Sequence, residues 1–111
     1  MHDVRDRGID AVVADTVGIV GDGPVFLTVD VDVLDPAFAP GTGTPEPGGM
    51  TSLELLKAVR EVADRLDLVG ADVVEVIPTA VASADVTALV ADRIVRQILN
   101  GIALRRRRPA S

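Results

Sequence analysis

At 111 residues the chain is one domain at most, or part of one, and its 48% hydrophobic and 25% charged residues suit a packed core rather than disorder. A net charge of −6 works against nucleic acid as a partner, and the absence of cysteine excludes disulfides and thiolate chemistry. No run approaches the ~18 uninterrupted apolar residues of a membrane span, and the N-terminus lacks a signal-peptide core, so a cytoplasmic protein with no membrane partner is expected.

Residues 3–15 read as two helical pieces broken near Gly8, with Ile9, Val12 and Val13 on one side. The glycine-rich stretch 18–24 is expected to turn and launch a strand from Val25 to about Asp32. Along that strand Val25, Leu27, Val29, Val31 and Val33 fill one face, which leaves Asp30 and Asp32 together on the other. In extended chain the two would stand about 6.6 Å apart along the backbone. Neighbouring carboxylates at the end of an apolar strand repel each other and are costly to bury, and a divalent cation is the simplest offset. The loop from Val33 to Met50 follows, stiffened by Pro36, Pro40, Pro45 and Pro47. Unstructured loops of this length in compact domains are usually functional.

Thr51 opens the next helix, and Thr51-Ser52-Leu53-Glu54 fits a capping box in which threonine and glutamate satisfy two orphan amides. Leu53, Leu56, Val59, Ala63 and Leu66 then recur at helical spacing. A second strand is predicted from about Val69 to Ile77, ended by Pro78, and its near-continuous apolar run suits a central strand of a parallel sheet. The last helix is predicted to start near Ser83 or Asp85 and to run to about Leu99, with Gly101 as its stop. Its apolar face comprises Val86, Leu89, Val90, Ile94, Val95, Ile98 and Leu99. Arg105–Arg108 begin a basic, solvated tail (105–111) after a domain of residues 1–104.

Strand, long loop, helix, strand, helix implies an α/β fold with a parallel sheet and right-handed crossovers. Both strands then end at the same sheet edge, where open α/β sheets place their ligands. Asp30 and Asp32 end the first strand and Glu75 lies near the end of the second, so three carboxylates should converge there.

The run Thr28 to Gly49, TVDVDVLDPAFAPGTGTPEPGG, resembles the second metal-binding signature of the ureohydrolases, the arginase and agmatinase family of manganese hydrolases. That pattern reads Ser/Thr-x-Asp-x-Asp-x-x-Asp-Pro, then Pro-x-Thr-Gly-Thr-Pro and Gly-Gly. The matching residues are Thr28, Asp30, Asp32, Asp35, Pro36, Pro40, Thr42, Gly43, Thr44, Pro45, Gly48 and Gly49. The resemblance implies a partial three-layer α/β/α parallel sheet of the arginase-like fold and a binuclear Mn2+ cofactor. By resemblance Asp30 would bridge the two ions and Asp32 would ligate one of them, with no catalytic residue beyond the metal ligands. Glu75, in Asp-Val-Val-Glu-Val-x-Pro, resembles the glutamate that binds the substrate guanidinium, and Thr44 is a second candidate beside the substrate. Thr42 and Thr44 are expected to tie the loop by hydroxyl-to-backbone bonds. Asp35 and Asp72 are read as structural, the first holding the turn at Pro36 and the second lying at the far end of its strand from the site. His2 is not read as a ligand.

The implied partner is a small guanidino substrate hydrolysed to urea and an amine. The Pro-Gly-Thr-Gly-Thr-Pro-x-Pro-Gly-Gly form points to agmatine, with guanidinobutyrate or arginine as alternatives. An intact protein of this kind would assemble as a trimer or hexamer. Complete members also carry an earlier histidine ligand, an Asp-Ala-His-x-Asp segment and a proton-transfer histidine, none of which is in this sequence. Where many agmatinase-like sequences have Tyr-Asp after the proline, this chain has Thr79, Ala80 and Val81, at positions that border the substrate tail. The chain thus reads as the C-terminal part of a ureohydrolase, arising from truncation, gene decay or a misplaced start, with weak metal affinity and no useful turnover alone. Two strands would also leave a hydrophobic edge unpaired. One alternative is a non-catalytic module that associates with intact ureohydrolase subunits. Another is a small magnesium-binding phosphate domain, which the prolines of residues 42–49 oppose.

Overall fold

The computed structural model describes residues 1–77 and 82–109, and for residues 2 and 82–85 the backbone only. Helices α1 (His2–Arg7) and α2 (Ile9–Val20) are separated at Gly8, whose φ of 83° suits a residue without a Cβ. Strand β1 (Pro24–Asp30) leads through a single 3-10 turn, Val31–Val33, into the long loop. Helix α3 (Ser52–Arg65), strand β2 (Asp67–Val74) and helix α4 (Ala82–Arg107) complete the order. The strands pair in parallel as a two-stranded sheet, in line with the α/β expectation.

Several boundaries differ from those read in the sequence. Gly18 is helical, and α2 stops only at Gly21, whose φ of 75° breaks the helix. Strand β2 begins directly after α3, because Leu66 is already extended, and it ends at Val74 because Glu75 turns to φ 70°. Helix α4 passes through Gly101 to Arg107, so the first arginines of the expected tail are helical. Gly101 is a crossing point rather than a stop. A Cβ built there would stand 2.6 Å from the Ala63 Cβ and 3.0 Å from the Asp64 nitrogen, so α3 and α4 approach closely because this position has no side chain. Pro78–Val81 lie outside the described residues, as do the side chains of Ser83 and Asp85.

The core gathers Val29 and Val31 from the end of β1, Leu34, Ala39 and Met50 from the loop, Leu55, Val59 and Ala63 from α3, and Ile94 and Ile98 from α4. On α3 the buried stripe passes through Leu55, whereas Leu53 is 75% exposed, one step round the helix from its expected place. The expected apolar face of α4 is covered only in part: Ile94 and Ile98 are buried, while Val86, Leu89, Val95 and Leu99 stand exposed. Phe26 and Val69 on the sheet are exposed as well, and among the described residues each strand has one edge with no strand beside it. An apolar surface of this breadth exceeds the scattered single residues of an ordinary soluble face. Among the described residues no helix is long and apolar enough to cross a membrane.

Candidate functional site

The site lies at the C-terminal edge of the sheet, where the register sets Asp30 opposite Val74. Glu75 follows Val74 directly, so parallel pairing across a strand spacing of ~4.8 Å brings Asp30 and Glu75 to one rim. Asp32 reaches that rim by a different route from the expected one. The chain leaves the extended conformation after Asp30, and the Asp32 amide donates to Asp30 Oδ1 at 3.0 Å, so Asp30 caps the turn that carries Asp32. The two carboxylates are therefore not side by side on a strand face. One ends the strand and the other is set on the turn.

Asp32 is held in turn by the loop. The Thr44 hydroxyl donates to Asp32 Oδ2 at 2.7 Å, a bond to the carboxylate where one to the backbone was expected. The Thr42 hydroxyl is buried and has no partner among the described residues, so it does not tie the loop either. Asp35 behaves as expected. It accepts from the Ala37 amide at 2.9 Å and from the Gly48 amide at 3.0 Å, and these backbone donors hold its pKa below the ordinary carboxylate value. The base of the loop is stitched by the Asp35 amide to the Met50 carbonyl and the Met50 amide to the Val33 carbonyl, both at 2.9 Å. Gly49 sits against this stitch, where a Cβ would lie 2.6 Å from the Asp35 nitrogen. Thr51 and Glu54 form the expected capping box, with the Glu54 amide donating to Thr51 Oγ1 at 3.2 Å and the Thr51 amide to Glu54 Oε1 at 3.0 Å.

Asp72 lies near the C-terminal end of β2 rather than at its start, because the strand itself begins earlier than expected. Its carboxylate accepts from the Thr28 hydroxyl across the strand pair, a structural cross-strand tie. Glu75 stands exposed above the loop, its Oε2 3.9 Å from where a Cβ on Gly43 would be. One residue of importance was missed in the sequence. Thr87 on α4 is fully buried, and its Oγ1 accepts from the Gly41 amide at 2.7 Å. The signal was present: Thr87 shares a helical face with Val90 and Ile94, and a polar side chain on a buried face needs a partner.

Carboxylate oxygens suit a hard cation such as Mn2+, so the donor type fits the metal implied by the signature. Among the described residues Asp30 Oδ2 and Asp32 Oδ1 accept no protein hydrogen bond, which leaves one oxygen of each for a cation. The donor number does not fit. Among the described residues no three or more His, Cys, Asp or Glu side chains are grouped to hold a metal ion, and two carboxylates cannot close two sites. No hydrolytic step is therefore assigned to a metal held by this chain alone.

The family and the fold are settled by likeness to known proteins. The sequence profile of the Arginase family matches residues 1–100, and the chain belongs to that family. The agmatinase of Escherichia coli O7:K1 is 54% identical over 96 residues, covering 86% of this chain and 31% of that enzyme. Among solved structures, a hypothetical agmatinase from Burkholderia thailandensis superposes with a TM-score of 0.82 at 43% identity, over 93% of this chain and 32% of its own. The proclavaminate amidino hydrolase of Streptomyces clavuligerus gives a TM-score of 0.86 at 40% identity, over 94% of this chain and 35% of its own. The fold is thus part of the arginase-like architecture, and the chain spans about a third of the length of the relatives it matches.

Proposed function

We propose that this chain carries two elements of a manganese-dependent ureohydrolase site: the Asp30 and Asp32 share of the metal ligands, and the Glu75 contact to the substrate. The reaction of the whole protein is hydrolysis of a guanidino compound to urea and an amine, in the cytoplasm. Agmatine is the first substrate, supported by the likeness to agmatinases, and guanidinobutyrate and arginine are the rivals. The observation that supports the reading is the parallel register that sets Asp30 opposite Val74, next to Glu75, with Asp32 held by Thr44 of the loop that matches the family signature. A carboxylate at Glu75 can accept two parallel N–H bonds from a planar guanidinium, fixing its orientation as well as its position. Thr44 orients the Asp32 carboxylate, and its oxygen keeps an acceptor for a substrate N–H. With two ligands at most, the chain alone binds metal weakly and turns over no substrate. An intact protein would assemble as a trimer or hexamer.

Calorimetry with Mn2+ and a urea-release assay on agmatine, guanidinobutyrate and arginine test this together. Weak binding and no urea from the chain alone are expected. In a protein that supplies the missing ligands, Glu75→Ala should abolish most hydrolysis while sparing metal binding, and unchanged activity there would remove Glu75 from the mechanism. A second reading is that the chain is a non-catalytic module seated against ureohydrolase subunits. The exposed Phe26, Val69, Leu89 and Leu99 favour it. Sedimentation of the chain with an intact agmatinase decides, since a mixed complex supports that reading and separate boundaries exclude it.

A further inference from the structure

Glu75 holds a backbone conformation that side-chain-bearing residues rarely adopt, and it alone among the non-glycine described residues has a positive φ. Such a residue persists only where its surroundings over-determine it. On its C-terminal side the restraint is visible. Two residues on, the Ile77 amide donates to the Gly41 carbonyl at 2.8 Å. The amide of the same Gly41 donates to Thr87 Oγ1 at 2.7 Å. Thr87 is 0% exposed on α4, a helix fixed by its close crossing with α3 at Gly101. The loop then continues through Gly43, beside the Glu75 carboxylate, to Thr44, which holds Asp32. Gly41 is therefore tied to both halves of the site, directly to the segment after Glu75 and through three residues of stiff loop to Asp32.

We infer that Thr87 is a positioning residue: its buried hydroxyl, acting through the Gly41 peptide, sets Glu75 relative to the Asp32–Thr44 pair. The role given to Glu75 rests on the ureohydrolase reading, whereas the hydrogen-bonded relay does not. A hydroxyl is required because the Gly41 amide is buried and would otherwise have no acceptor. Serine keeps that acceptor, and valine keeps the shape and loses it.

The test is amide hydrogen exchange on the 111-residue chain and its Thr87→Val and Thr87→Ser variants, together with the Glu75 HN–Hα coupling that reports φ. In Thr87→Val, protection of Gly41 and Ile77 should fall about tenfold or more and the Glu75 coupling should move toward the extended value, with Ile98 and Ala63 unchanged. Thr87→Ser should restore all three. Unchanged Ile77 protection, or an equal loss along the whole of α4, overturns the relay. Should Thr87→Val not fold, the unaltered chain still decides: Gly41 and Ile77 must open with one common free energy, and two separate openings overturn the inference. The Glu75→Ala assay in a protein that supplies the missing ligands separates the two ideas. Unchanged hydrolysis there defeats the guanidinium role of Glu75, and the exchange data judge Thr87 independently.

Discussion

Replacing Gly101 by alanine sets two known effects against each other. In an isolated helix the change is favourable by roughly 1 kcal/mol, because glycine is the poorer helix former. Here the new methyl would stand 2.6 Å from the Ala63 Cβ and 3.0 Å from the Asp64 nitrogen, and Arg60 offers its carbonyl on the same side. Carbon atoms normally rest about 3.5–4.0 Å apart, so the two helices must separate by about 1 Å. The obstacles are backbone and a Cβ, neither of which can rotate away. A gap of that size forfeits a quarter to a half of each facing contact, and the residues that face one another across it include Val59, Ala63, Ile94 and Ile98. Overpacking of this kind costs about 1–3 kcal/mol, which outweighs the propensity gain. Gly18→Ala is the internal control, since a Cβ at that helical position meets no atom within 4 Å and should stabilise by up to about 1 kcal/mol. Urea unfolding followed by circular dichroism at helical wavelengths reads both variants. Equal stabilisation by the two alanines would refute the close crossing of α3 and α4.

Three further outcomes follow from the site. In a protein that supplies the missing ligands, Thr44→Val removes the donor that orients Asp32 and should weaken Mn2+ binding about ten- to a hundredfold by calorimetry, with Thr44→Ser close to the unaltered residue. Because backbone donors lower the folded-state pKa of Asp35, its contribution to stability is fully present above the unfolded value of about 3.9 and is lost as pH falls through the depressed folded one. Asp35→Asn should therefore lower stability near neutrality and flatten the acid limb of the stability profile, and an unchanged limb would show that these bonds do not favour the charged form. Glu75→Gly relieves the left-handed strain and should leave stability equal or raise it by about 1 kcal/mol in urea, and a clear loss of stability would show that the side chain itself holds the turn.

What could be read in the sequence was whatever depends on neighbours along the chain. The capping box at Thr51, the Asp35 turn and the break at Gly8 rest on residues within a few positions, and each stands as expected. The parallel pairing followed from the strand–helix–strand order, and it carried Glu75 to the rim of Asp30. Errors arose where a local tendency met a competing partner. Asp30 and Asp32 follow an alternating pattern, yet the Asp30 carboxylate captures the Asp32 amide and bends the strand end. Gly101 has the composition of a helix stop, and a neighbouring helix uses its bare Cα instead. Leu53 and Leu55 are both compatible with a helical stripe, and only the placement of the core selects Leu55. The bond between Gly41 and Thr87 spans 46 positions, so helical spacing marks Thr87 as needing a partner without naming Gly41.

The stitch between residues 33–35 and Met50 gives the long loop a narrow waist. Above it, the loop reaches the frame again through the hydroxyl of Thr44 and the peptide of Gly41. Glu46, exposed at the crest and outside both the signature and these ties, can therefore vary while the acidic rim beneath it keeps its shape. That partition offers lineages of this fold a place to retune which molecules approach the rim, leaving the load-carrying frame as it was.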